Sequence, residues 1–152
     1  MEGKIVASTL EVYKTAMKEL LPTPMKSHYL FNLRDFAKVI LGICLADKEK
    51  INETNVVARL WTHEVWRVFA DRLINDEDRM LMLRTLRDVM RKQMGLNFDT
   101  VFEHLDKPDE HGNKDGKVDT LDEMRGMMFT DCTSQMGSIK KYYEEIIEFP
   151  KL

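Results

Sequence analysis

The sequence predicts an all-α fold: a helical bundle followed by a loop-rich helical C-terminal appendage. Three observations carry this. Apolar side chains recur at i, i+3, i+4 spacing in four successive segments of the first two thirds; caps and breakers separate those segments; and none sustains the apolar alternation of a strand. With 152 residues, 43% hydrophobic and 32% charged, the chain can bury one real core in one compact body.

The first helix is predicted from about Ile5 to Leu21, with Val6, Leu10, Tyr13, Met17 and Leu20 as its buried stripe and Lys14, Lys18 and Glu19 outside it. Leu21-Pro22-Thr23-Pro24 stops it, because each proline lacks an N–H donor and steers its predecessor away from helical dihedrals. His28 to Phe31 should then run extended. Asn32 is the N-cap of the second helix, about Leu33 to Leu45, with Asp35 three residues on. Phe36, Val39, Ile40 and Ile43 share one face, and Leu41 and Cys44 widen it enough to predict a central helix.

A polar turn, Asp47 to Lys50, leads to Asn52 or Thr54 as the cap of a long third helix ending near Ile74. Val57, Leu60, Trp61, Val65, Val68 and Phe69 fall at helical intervals, and Glu64 is the one polar intruder. Trp61 and Trp66 lie five apart and so face different ways; one should pack in the core and the other meet a neighbour or the surface. Asn75 and the acidic run Asp76-Glu77-Asp78 open a fourth helix through Leu81, Leu83, Leu86 and Met90 to Met94, with Gly95 as its C′ residue.

After Gly95 the character changes, which divides the chain into a bundle at 1–95 and an acidic loop with a helical connector at 96–152. A short helix, about Asp99 to Leu105, precedes a polar loop, Asp106 to Gly116, expected to be an exposed excursion. Val118 to Phe129 is read as a further helix, with Leu121, Met124, Met127 and Met128 as its apolar contacts, and Ser134 to Ser138 as a turn. The tail, Ile139 to Leu152, mixes Tyr142, Tyr143, Ile146, Ile147 and Phe149 with charge, so its apolar groups need a partner surface.

Composition narrows function. A formal net charge of −3 gives no general drive toward nucleic acid. Cys44 and Cys132 lie far apart, which fits a reduced, intracellular setting. The longest apolar run, Val39 to Ala46, is too short to span a bilayer, and the N-terminus reads as neither a signal peptide nor a membrane segment.

The stretch from His111 to Asp122 lines up with a calcium loop: Asn113, Asp115 and Asp119 as oxygen ligands, Gly116 at the turn and Val118 at the apolar position. His111 replaces the first aspartate, however, and Asp122 is short for the bidentate twelfth position, so an acidic surface loop is the better account and no metal site is assigned. Arg84, Arg87 and Arg91, with Arg79 and Lys92 nearby, form a basic stripe without interleaved aromatics, best read as a solvated face. His28, His63, His104 and His111 make no close ligand pair. G-x-S-x-G, H-E-x-x-H and G-x-x-x-x-G-K-[ST] are all absent, and no catalytic residue is assigned.

Arg34 is the remaining candidate. It projects from the first turn of the second helix, beside backbone N–H groups expected to be unpaired, where the helix dipole disfavours a cation unless an anion shares the site. Locally two readings stay open: a solvated arginine, or one arm of a phosphate site.

The run Leu20-Leu21-Pro22-Thr23-Pro24-Met25-Lys26-Ser27-His28-Tyr29-Leu30-Phe31-Asn32-Leu33-Arg34-Asp35 resembles the dynein heavy chain family, most of all axonemal members, at the small helical lid of the third AAA+ module. Leu60 to Ile74 resembles the next lid helix, and Met127-Met128-Phe129-Thr130-Asp131 the segment leading toward the fourth module, whereas Phe98 to Val118 departs from the pattern. The resemblance implies an AAA+ lid subdomain in which Arg34 is the second sensor, reaching the phosphates of ATP or ADP held mainly by other parts of the parent. It further implies a parent ATPase motor of the cilium or flagellum axoneme, in the cytoplasm and cytoskeleton. The piece itself would not be an enzyme. Its partners would be the large subdomain of its own module, neighbouring AAA+ modules in cis, other dynein chains and, through distant parts, the microtubule, with no nucleic acid or membrane. The alternatives are a calcium-binding helical regulator centred on Asp115, Gly116 and Asp119, or a plain helical adaptor docking through its apolar tail.

Overall fold

The computed structural model describes residues 2–47, 51, 53–108, 113–130 and 143–147. Helices dominate: α1 (Glu2–Glu19), α2 (Leu33–Cys44), α3 (Thr54–Val65), α4 (Asp76–Val89), and the short α5 (Phe98–Val101) and α6 (Leu121–Met124). Two-residue strands β1 (Phe129–Thr130) and β2 (Glu144–Glu145) pair antiparallel, Phe129 opposite Glu145. A 3-10 turn, Pro24–Lys26, follows the proline stop. Both α3 and α4 run on into a π turn, at Trp66–Ala70 and Met90–Met94. No described helix is long and apolar enough to cross a membrane.

The core is one cluster in which Trp61, Tyr29, Phe69 and Phe102 are the largest fully buried side chains. Trp61 is wholly buried and its indole N–H donates to Thr9 Oγ1 at 3.0 Å, while Trp66 is half-buried, the division the five-residue spacing predicts. Gly95 ends the fourth helical segment at φ +72°, where a side chain would strain the backbone.

Two helices sit differently from expectation. In α1 the buried positions are Ile5, Ser8, Thr9, Val12, Tyr13 and Ala16, with Leu20 just beyond, whereas Val6, Leu10 and Met17 are exposed. The apolar set contains two overlapping stripes that share Tyr13 and Leu20, and the smaller residues Thr9 and Ala16 face the body, where Trp61 fills the space over Thr9. Helix α2 is peripheral rather than central. Only Asp35, Val39 and Gly42 are buried, and Leu33 and Leu41 are 70% and 64% exposed. Leu21, Met25, Leu30 and Leu45 are exposed as well.

The expected caps of the third helix also shift. Glu53 is the N-cap and Thr54 the first helical residue, with no side-chain capping bond; Asn52 lies outside the described residues. The helix expected from Val118 to Phe129 is only one turn, Leu121–Met124, closed by a Thr120–Glu123 capping box, after which the chain enters β1. The acidic loop is anchored at both ends rather than wholly exposed: Asp106 is buried and accepts from the Gly116 N–H at 3.0 Å, and Val118 is fully buried. Ser134 to Ser138 lies outside the described residues. Of the tail, residues 143–147 are described: Tyr143 meets His63 and Phe129 and Glu145 meets Arg59, whereas Ile147 is exposed, and Tyr142 and Phe149 lie outside the described residues.

Candidate functional site

The start of α2 is fixed by its own sequence. Asn32 Oδ1 accepts from the N–H groups of Arg34 (2.9 Å) and Asp35 (3.3 Å), and Asp35 Oδ2 accepts from the Asn32 N–H at 3.1 Å. That is the reciprocal box expected from the N-x-x-D spacing, and it occupies donors that sequence reading leaves unpaired. An anion arriving here would therefore meet the Arg34 guanidinium and the helix dipole rather than a ring of free amides.

A second arginine holds this turn to the body. Arg72, just past the π turn that follows α3, donates Nη2 to Asp35 Oδ1 at 2.7 Å and Nε to the Val68 carbonyl at 3.2 Å. Its guanidinium also lies over the Phe31 ring, 5.1 Å from the centroid, and Phe31 stacks on buried Phe69 with ring centroids 5.5 Å apart. Burial alone would raise the Asp35 pKa, but the Arg72 hydrogen bond, the Asn32 N–H and the Lys38 charge outweigh it and hold the carboxyl below its usual range.

The preceding segment is tied down as well. Tyr29 is buried; its hydroxyl donates to Asp78 Oδ2 and accepts from the Ile74 N–H, both at 2.9 Å, and Lys26 pairs with the same Asp78 oxygen at 2.5 Å. His28 Nε2 sits 3.0 Å from the Arg72 carbonyl oxygen. The whole stretch from Lys26 to Asp35 is thus strapped across the gap between the third and fourth helices.

Arg34 stands out against this. It is exposed, and its guanidinium makes no hydrogen bond or ion pair with the described residues. Arg72, on the segment after α3, is consumed by Asp35, whereas the Arg34 side chain has no partner among the described residues. A planar fork of N–H donors on a braced helical turn suits bidentate binding of phosphate or carboxylate.

The other candidates are absorbed locally. Arg87 donates to the Val118 carbonyl (2.7 Å) and to Asp99 Oδ2 (2.8 Å), so the basic stripe is split, with Arg84 and Arg91 left exposed. In the calcium-like stretch, Gly116 adopts φ +73° as a turn glycine, Asp115 Oδ1 accepts from the Lys117 N–H, and Asp122 pairs with Arg125. His111 lies outside the described residues, and no group of three or more potential metal ligands occurs among those described.

Sequence reading assigned no role to Arg72 and left Glu64 as an intruder. Glu64 is fully buried, accepting from Arg67 Nη2 at 2.6 Å and the Tyr143 hydroxyl at 2.7 Å, with His63 Nδ1 3.2 Å away. Burial pushes its pKa up, yet the bonds from His63, Arg67 and Tyr143 bring it down to about 2. The signal for Glu64 was its place on an apolar face; nothing local marks Arg72, whose partner lies 37 residues away.

Residues 5–107 match the model of the AAA+ lid domain family. Among full proteins, the chain is similar to dynein axonemal heavy chain 12 of Mus musculus, 48% identical over 129 residues. It is also similar to dynein axonemal heavy chain 3 of the same species, 37% identical over 144 residues. A third relative is the dynein-1-beta heavy chain of the flagellar inner arm I1 complex of Chlamydomonas reinhardtii, 42% identical over 99 residues. These alignments cover 85%, 95% and 65% of this chain but only 4%, 3% and 2% of the relatives. The all-helical bundle and the matched model together place this chain in the AAA+ lid domain family, with axonemal dynein heavy chains as its relatives.

Proposed function

We propose that this chain is the lid of the third AAA+ module of an axonemal dynein-type heavy chain, and that Arg34 is its second-sensor arginine, reaching the phosphates of ATP or ADP held by the large subdomain. The observation that carries the reading is the exposed Arg34 guanidinium, unpartnered among the described residues, on a turn braced by Asn32, Asp35 and Arg72. The sensing task needs both properties: free donors to meet a phosphate, and a rigid base so that the contact moves the helix instead of the side chain alone.

In this reading residues 1–95 form the lid and 96–152 the connector toward the next module. The exposed Leu30 and Leu33, close to Arg34 in the sequence, and Leu41, about two turns along α2, meet the large subdomain of the same module, and neighbouring modules are partners in cis. ATP hydrolysis, microtubule contact, association with other dynein chains and residence in the axoneme belong to the parent. The lid contributes a conformational step: Arg34 engages the phosphates and the bundle moves as a body.

The test is Arg34→Ala in the full heavy chain, with nucleotide affinity of the module as the readout. Loss of a charge-assisted hydrogen bond predicts affinity weaker by roughly ten- to a hundredfold, with the lid still folded. A folded lid with unchanged nucleotide affinity would remove the assignment.

A further inference from the structure

Glu64 interrupts the apolar face of α3, and the structure puts it where three elements meet. Its carboxylate lies against Gly42 of α2 so closely that a Cβ on that glycine would stand 1.8 Å from Oε2 and 2.4 Å from Cδ. The other oxygen accepts from the Tyr143 hydroxyl at 2.7 Å. Tyr143 directly precedes β2, whose Glu145 takes two hydrogen bonds from Arg59 Nε at 2.8 and 2.9 Å, and the Ile146 N–H donates to the Met128 carbonyl at 2.9 Å. The C-terminal strand is therefore held mainly by polar contacts and half-buried side chains, and one of those contacts is shared with the α2–α3 crossing.

We infer that Glu64 is a relay, coupling the position of α2 to the docking of the C-terminal strand. Arg34 and Gly42 lie on the same helix, eight residues and about 12 Å apart along its axis. As the bundle is drawn at Arg34, a small slip of α2 against α3 carries Gly42 toward a carboxylate that occupies the space a Cβ would fill. A closer approach displaces Glu64 and breaks its short bond from the Tyr143 hydroxyl, which keeps the longer 3.4 Å contact with His63 Nδ1; retreat leaves Glu64 in place and the strand docked. Arg67 stays on Glu64 in either arrangement, since it lies on the same helical segment and half in solvent. The trigger in the parent rests on the Arg34 reading; the Gly42–Glu64–Tyr143 linkage does not.

The test is amide hydrogen exchange on the 152-residue chain as wild type, Gly42→Ala, Tyr143→Phe and the double variant. Each single substitution should speed exchange at residues 143–147 and in β1 by roughly ten- to a hundredfold, the worth of a hydrogen bond to a charged group, while α4 amides keep their protection. The double variant should add little to either single, because both remove the same contact. Unchanged strand protection in Gly42→Ala, or independent addition of the two effects, overturns the relay. Should Gly42→Ala fail to fold, Glu64→Ala is compared with Glu64→Ala plus Gly42→Ala. Equal strand exchange in that pair supports the relay, and a further rise on adding the second alanine overturns it. None of these measurements involves nucleotide, so their failure leaves the Arg34 assignment standing, and failure of that assignment leaves the linkage intact.

Discussion

Arg72→Ala should be among the most damaging single substitutions outside the apolar core. The side chain of Asp35 is 5% exposed and that of Arg72 26% exposed, so the pair is largely but not wholly withdrawn from water. Removing one partner of a fully buried pair costs about 3–5 kcal/mol, because the remaining charge is stranded. Residual solvent at Arg72, the Asn32 N–H at 3.1 Å and Lys38 at 3.6 Å soften that here, leaving roughly 2–3 kcal/mol, to which loss of the Phe31 ring contact adds several tenths. For a chain of this length that is a fall in Tm of about 4–12 °C. Urea denaturation followed by circular dichroism gives the free energy directly. Asp35→Asn alone should cost less, and Asp35→Asn combined with Arg72→Ala should be more stable than the sum of the two losses, since the stranded charge is gone. A cost below about 0.5 kcal/mol for Arg72→Ala, or strict additivity in the double variant, would refute the idea that this pair holds α2 to the body.

Glu64 and Gly95 carry two further predictions. Glu64 releases its proton near 2 in the folded chain but at an ordinary 4.5 when unfolded, so the stability it supplies is complete above about pH 4.5 and drains as pH falls toward 2. With half-exposed Arg67 as one partner the loss is roughly 2–3 kcal/mol, and acid titrations of wild type and Glu64→Gln should diverge in that window; parallel curves would contradict it. Gly95→Ala should destabilise by about 1 kcal/mol through backbone strain at φ +72° alone, because nothing lies within 4 Å of the added Cβ, and a neutral result in denaturant melts would show that the turn relaxes freely.

The sequence by itself determined the all-helical class, the proline stop, the Asn32–Asp35 cap, the Gly95 terminus and the separate fates of Trp61 and Trp66. Each is decided within one or two helical turns, by dihedral limits, capping geometry or face assignment, so the needed information lies side by side in the chain. The family likewise was legible in the run ending Phe31-Asn32-Leu33-Arg34-Asp35, because that run is built from local constraints. Only the tertiary structure decided which of two apolar stripes α1 buries, that α2 lies at the edge, and that the segment after Val118 passes from one helical turn into a strand. It also decided which arginine is spent and which has no partner among the described residues. Arg34 and Arg72 look alike as residues; their difference comes from a carboxylate 37 positions distant, and from a fold that brings one guanidinium to it and turns the other outward. A helix has several faces that spacing can make apolar, and only the shape of what packs against it chooses among them.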